Sequence, residues 1–179
     1  DAGFDVEVIE MDLSSRQDIL KMIDMAKNYG PIKMLVNGAG VSPSQAPIEA
    51  ILKVDLYGTA VLLEKVGKVI EEGGVGVTIS SQSGWRMEQL TALEDEQLAC
   101  TPTEELLDID EFNGPRGDFY KNMFAKCPAG RPGTADEVAN VAELLMSDKG
   151  AFITGATFLM DGGATSSYYY GSLKPEGGK

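Results

Sequence analysis

The short apolar run "IKMLV", Ile32 to Val36, constrains the fold more than any other stretch. It is too short for a stable helix, and Gly30-Pro31 and the glycines of "NGAG" bound it on both sides. A continuous run of this kind reads as a strand buried on both faces, and sheets buried on both faces are parallel sheets covered by helices. The flanking sequence supplies those helices. Ser14 and Gln17 form the pattern of a capping box, and Ile19, Met22, Ile23 and Ala26 repeat on one helical face up to Gly30-Pro31. Upstream, "FDVEVI" over 4–9 alternates as a half-buried strand does.

Downstream, Ile51, Val54, Val61, Leu62, Val66 and Val69 share one stripe of a helix over 48–71, closed by Gly73-Gly74, and "VGVTIS" is the next strand. A strand, helix, strand, helix, strand order with short connections predicts an α/β fold: a Rossmann-like, doubly wound parallel sheet with helices on both faces. We expect one domain over 1–179. Residues 86–118 break the pattern; they are acidic, lack a sustained period, and read as a surface insertion or lid with one helix near Thr103 to Leu107. Thr134 and Glu137 then form a second capping box, "ATFLM" reads as a last strand ending at Asp161-Gly162-Gly163, and 164–179 reads as a polar tail whose last residues are expected to be mobile.

Composition removes several function classes. The chain carries 28 acidic against 15 basic residues, a net charge of −13, which repels a phosphate backbone and excludes nucleic acid as a partner. No apolar run reaches the roughly 18 residues needed to span a bilayer, so no membrane role is expected. Cys100 and Cys127 have neither C-x-x-C spacing nor a partner histidine, which argues against zinc and a disulfide framework and fits a reducing cytoplasm. Histidine is absent altogether, so acid-base chemistry must fall to Tyr, Lys, Ser or carboxylates.

In an open parallel sheet, ligands bind beyond the carboxyl ends of the strands. After "IKMLV" comes "NGAGVS", where Gly38 and Gly40 present no Cβ to a flat or phosphorylated ligand. After "VGVTI" comes "SSQSG", which sets hydroxyls at the same edge, placed to donate to an oxygen on which charge develops. A tight turn and serines closing a strand end are the plainer readings of these two stretches.

Together with the C-terminal segment, these pieces resemble the short-chain dehydrogenase/reductase family. "LVNGAGVS" resembles its Asn-Asn-Ala-Gly strand end, with Gly38 in place of the second Asn. "ILKVDLYGTAVLL" resembles its central helix, with Asp55 where the family usually carries a catalytic Asn, and "TISSQSG" resembles its catalytic-serine segment, which points to Ser81. "AGRPGTADEVANVAELLMSDKGAFITGATFLMDGG" resembles its C-terminal signature almost throughout, and the acidic insertion is similar to that of the hydroxysteroid dehydrogenase/carbonyl reductase subgroup. The resemblance implies an NAD or NADP cofactor held by Asp12 and Leu13 and by Asn37, Gly38, Ala39 and Gly40, with Asp12 at the adenine ring. It implies hydride transfer to or from a small carbonyl or secondary alcohol substrate, and assembly as a homo-oligomer.

The family also needs a tyrosine and a lysine one helical turn apart beside the serine. Tyr29 and Lys33 have the spacing, but Gly30-Pro31 interrupts a helix between them and Lys33 begins a strand. Tyr170 and Lys174 follow the final strand, and Tyr120 has Phe124 at i+4. No catalytic Tyr/Lys pair is therefore identified. The glycine-rich phosphate loop is not found either, and we expect it before Asp1 and the Tyr/Lys helix near Asp108-Ile109-Asp110. In this form the enzyme is expected to be impaired or inactive. The alternative is a non-catalytic Rossmann-like relic or interaction module that binds through the acidic lid or Tyr168-Tyr169-Tyr170, and a third reading is a fragment that does not fold alone.

Overall fold

Chain order in the computed structural model begins with helix α1, Arg16–Lys27. The structure describes residues 3–43, 45–86, 90–105, 126–131 and 133–174. Ser15, in extended conformation, caps α1 by accepting the Asp18 N–H on Oγ at 3.2 Å. Ser14, the expected cap, instead donates its N–H and Oγ to Asp12, one residue outside the helix. The helix ends at the expected place, with Gly30 at φ 134° before Pro31.

Strand β1, Ile32–Asn37, and strand β2, Ile70–Thr78, pair in one two-stranded parallel sheet. The helical crossover between them is not the single helix expected over 48–71. It runs as α2, Ile48–Ile51, a π-helical stretch Leu52–Gly58, and α3, Thr59–Gly67. The chain leaves the helix before Gly73-Gly74, and those glycines lie inside β2, with Gly73 at φ 80°. The strand expected to begin at Val75 therefore starts at Ile70.

The described residues fall into two units, one within 3–75 and 100–105 and the other within 76–99 and 126–174. In the first, Ile19 and Ile23 of α1 and Val61, Leu62 and Val66 of α3 pack with Leu13 as a buried core. Burying a Val, Leu or Ile side chain contributes about 1.5–3 kcal/mol, so this i, i+4 contact of two helices is what holds the unit together. A polar clasp closes its edge. Thr103 donates to Glu64 at 2.8 Å and accepts from Arg16 at 3.2 Å, while Arg16 pairs with Glu104 at 2.7 Å. Hydrogen bonds from Lys65, Lys68 and Thr103 hold the Glu64 carboxyl down to about 2.

The second unit contains a short turn Gln82–Arg86 and helices α4, Ala92–Cys100, α5, Ala135–Met146, and α6, Ala164–Tyr170. Thr134 and Glu137 make the expected capping box, and Arg131 adds a bidentate pair to Glu137 at 2.8 and 2.6 Å. At the foot of α6, Asp161 accepts the N–H groups of Gly163 and Thr165. Cys127, Ala164 and Leu173 form the buried cluster against which Tyr168 packs.

Other expectations are corrected. "FDVEVI" and "ATFLM" are not strands: Phe4, Val6 and Val8 are largely exposed, and so in part are Phe158, Leu159 and Met160. Alternation marks which side chains could face a core, but a strand also needs a neighbour to take its N–H and C=O groups, and no described strand lies beside either segment. β1 is not covered on both faces either, since Met34 and Val36 are more than half exposed. Within the acidic insertion the described helix is α4; Thr103 to Glu105 form a turn, and the rest of the helix expected at 103–107 lies, with residues 106–125, outside the described residues, as do 175–179. Helix α6 occupies the start of the segment read as a tail. No described helix is long and apolar enough to cross a membrane.

Candidate cofactor and catalytic site

One helical turn in the first unit, Asp55 to Thr59, positions both stretches that the sequence assigns to the cofactor. The Asp55 Oδ1 accepts the Val41 N–H at 2.9 Å, which fixes the far end of the loop after β1. The Thr59 Oγ1 accepts from the Asn37 side-chain amide at 3.2 Å, and the Asn37 Oδ1 accepts the Ala39 N–H at 3.4 Å. Asn37 is only 3% exposed, so these bonds satisfy a buried amide and pin the loop at the strand end. Between the two pins lie Gly38 and Gly40. A Cβ on Gly40 would stand 3.3 Å from Asp55 Oδ1, tight enough to press on the carboxylate that reaches Val41. A Cβ on Gly38 would meet nothing within 4 Å, which leaves bare backbone facing open space at the strand edge.

The same turn seats the other stretch. A Cβ on Gly58 would overlap the Leu13 carbonyl oxygen, so the crossover approaches the 12–13 backbone as only glycine allows. Leu13 is buried in the core and cannot retreat. Next to it, Asp12 accepts both the N–H and the hydroxyl of Ser14 at 2.8 Å, and those bonds hold its carboxyl below the ordinary aspartate value. Asp12 is thus an ionised, fixed acceptor at the start of α1. The structure brings Asp12, Leu13, Asn37 to Gly40 and Asp55 together, all within the first unit.

Ser81 belongs to the second unit, beyond the end of β2. Its Oγ accepts the Ser83 N–H at 3.1 Å, which orients the hydroxyl and leaves its proton to donate. The turn that follows is tied to α6: the Tyr169 hydroxyl donates to the Trp85 carbonyl at 2.7 Å, and the Arg86 guanidinium lies 5.7 Å from the Tyr168 ring centre. Tyr169 and Tyr168 meet edge to face with centroids 5.3 Å apart.

Neither Tyr-x-x-x-Lys sequence forms a helical pair. Tyr29 lies past the end of α1, while Lys33 lies in β1 with its ammonium 4.0 Å from Glu71. Tyr170 ends α6, and Gly171 turns the chain to extended backbone before Lys174. Tyr120 lies outside the described residues. Gly58 and Thr59 escape the sequence reading, and the signal that could have found them is a glycine inside an apolar helical stripe, which costs helix stability unless backbone must pass close by.

A dinucleotide needs an adenine acceptor, bare backbone at the strand edge, and donors for its pyrophosphate. The residues fit the first two, through Asp12 and through Gly38 to Gly40, and the sequence contains no glycine-rich phosphate loop for the third. No group of three metal-type ligands occurs among the described residues.

Comparison with known proteins finds likenesses over most of the chain. The family described as "short chain dehydrogenase" matches residues 1–92, and the one described as "Enoyl-(Acyl carrier protein) reductase" matches 101–165. D-threitol dehydrogenase of Mycolicibacterium smegmatis is 30% identical over 178 residues, covering 79% of this chain and 66% of its own length. The short-chain dehydrogenase/reductase bsc3 of Alternaria brassicicola is 24% identical over 216 residues, covering 90% of this chain and 79% of its own. That second alignment is longer than the 179-residue chain, so the relative carries stretches opposite gaps here. Among solved structures, a short chain dehydrogenase from Burkholderia cenocepacia in complex with NADP superposes with a TM-score of 0.64 at 20% identity, covering 87% of this chain and 75% of that one.

Proposed function

The chain belongs to the short-chain dehydrogenase family, and on that premise we propose that it is an NAD(P)-binding oxidoreductase for a carbonyl or secondary alcohol substrate whose 179-residue form turns over slowly or not at all. The observation that carries the binding half is the single turn Asp55 to Thr59, which braces both candidate cofactor stretches at once. Asn37 to Gly40 would lie along the nicotinamide half, and Asp12 would accept from the adenine amino group. When bound, the nicotinamide supplies or takes the hydride. Ser81 donates its hydroxyl proton in a hydrogen bond to the substrate oxygen, which stabilises negative charge growing there.

The proton itself needs a carrier, and a positioned acid or base commonly contributes 10²- to 10⁴-fold. Neither helical spacing nor contact gives Tyr29, Tyr169 or Tyr170 a lysine partner in the described residues. The stretches that the Alternaria relative carries opposite gaps support placing the missing pair in a segment this chain lacks. We assign the protein to a reducing cytoplasm on its two free thiols, and to a homo-oligomer on its family.

A fluorescence titration of NADH tests the reading. Wild-type protein should quench or enhance the signal saturably, and Gly58→Ala should weaken binding, because the added methyl overlaps the Leu13 carbonyl and pushes the crossover away from the 12–13 backbone. Equal binding by both proteins would remove the bracing turn from the account; no binding by wild type would favour the non-catalytic relic.

A further inference from the structure

Residues 4–9, "FDVEVI", keep the alternation of a strand without the partner of one. Phe4 is 81% exposed, Val6 68% and Val8 87%, and no hydrogen bond joins 4–9 to any other described residue. Unpaired backbone in an alternating apolar segment is a template for pairing with another chain. The first unit also holds an edge that lacks a neighbour. Among the described residues strand β1 pairs with β2 along one side only, and its Met34 and Val36 are more than half exposed.

Charge and pattern choose the edge and the register. β2 carries Glu71, Glu72 and three glycines, so it would set like charge and little side-chain surface against Asp5 and Glu7. β1 instead carries Lys33, whose side chain is 70% exposed and whose ammonium lies 4.0 Å from Glu71. Side chains two apart share a face of a strand, so Phe4, Val6 and Val8 can lie beside Met34 and Val36 while Asp5 and Glu7, on the other face, lie beside Lys33. A slip of one residue would lay the carboxylates against Met34 and Val36 and lose both matches. Two 4–9 segments paired with each other would oppose their own carboxylates. We infer that residues 4–9 add as a strand to the free edge of β1 in a second copy of this chain, and that two copies exchange the segment reciprocally in a closed dimer. Each copy gives one strand and receives one, which leaves neither 4–9 nor β1 unpaired. This contact rests neither on the cofactor reading nor on the oligomers of the family.

Analytical ultracentrifugation and amide hydrogen exchange on the 179-residue chain test it. At near-millimolar protein the chain should sediment as a dimer, and exchange over 4–9 should be at least about tenfold slower than after dilution to the monomer. Successive N–H groups of a strand point to opposite edges, so at least one of Val6→Pro and Glu7→Pro removes a donor from the new pairing. Both positions are exposed and make no hydrogen bond in the single chain, so the variants should keep the wild-type thermal midpoint. At least one of them should weaken the dimer about tenfold or more. If neither proline variant melts cooperatively, the double variant Asp5→Lys, Glu7→Lys takes their place; it sets cations beside Lys33 and should weaken the dimer to a similar extent. A monomer at every concentration, growth past a dimer, or a dimer whose 4–9 amides exchange as fast as the monomer's would overturn the inference. Association at wild-type strength by both folded proline variants, or by the folded lysine variant, would overturn it too.

Discussion

By the resemblance Asp55 would stand at a position where the family usually has asparagine, and its visible task needs only an acceptor oxygen: it takes the Val41 N–H at 2.9 Å. An amide oxygen does that as well as a carboxylate. Asp55→Asn should therefore leave the thermal midpoint and NADH affinity nearly unchanged, whereas Asp55→Ala strands a half-buried N–H and should cost about 1–3 kcal/mol in denaturant melts. A loss of NADH affinity in Asp55→Asn equal to that in Asp55→Ala would show that the charge itself matters. Gly58→Ala should cost about 1–3 kcal/mol, because the new methyl overlaps the Leu13 carbonyl and the buried Leu13 cannot yield. That Asn37 to Gly40 close a strand was legible in the sequence, since an apolar run followed by glycines announces a strand end. What Asn37 and Thr59 do for each other, 22 residues apart, was not, because no periodicity encodes a tertiary hydrogen bond.

The capped helices and the inner strand β1 were readable and the strand patterns at 4–9 and in "ATFLM" were misleading, for a physical reason. The Thr134 and Glu137 box satisfies its backbone groups locally, so four residues of sequence suffice to specify it. Thr134→Ala should accordingly cost about 1 kcal/mol, with the loss seen in the thermal melt and as reduced helicity. "FDVEVI" and "ATFLM" carry an equally clear pattern, yet a strand's hydrogen bonds are made to another segment, and no described strand supplies them. The crossover shows the same limit from the other side. Its apolar stripe from Ile51 to Val69 is real, but the π-helical stretch and the early entry into β2 answer to Leu13 and to strand pairing rather than to the stripe.

At the scale of the whole chain, acid should act through a few carboxylates. Glu64 and Glu137 sit at about 2 against an ordinary 4.5, held by lysines and Thr103 in one case and by Arg131 in the other. Depressed values mean that the folded form binds its protons later than the unfolded chain, so this stabilisation is complete above 4.5 and is lost as pH falls through about 2. The thermal midpoint of wild type should exceed that of Glu64→Gln near neutral pH, and the difference should vanish at the acid end of that window. A difference that persists there would mean that Glu64 acts through packing. Both groups are solvent-accessible, so salt should shrink the effect.

The central claim is that the chain has the Asp55 to Thr59 turn proposed to brace a cofactor, and Ser81, while no helical tyrosine-lysine pair occurs among the described residues. The most direct test is NADH consumption, followed by absorbance with a panel of ketones, using purified protein whose intact mass matches 19.1 kDa. The account predicts a rate indistinguishable from a protein-free control. A steady, enzyme-proportional rate from that verified chain would contradict it.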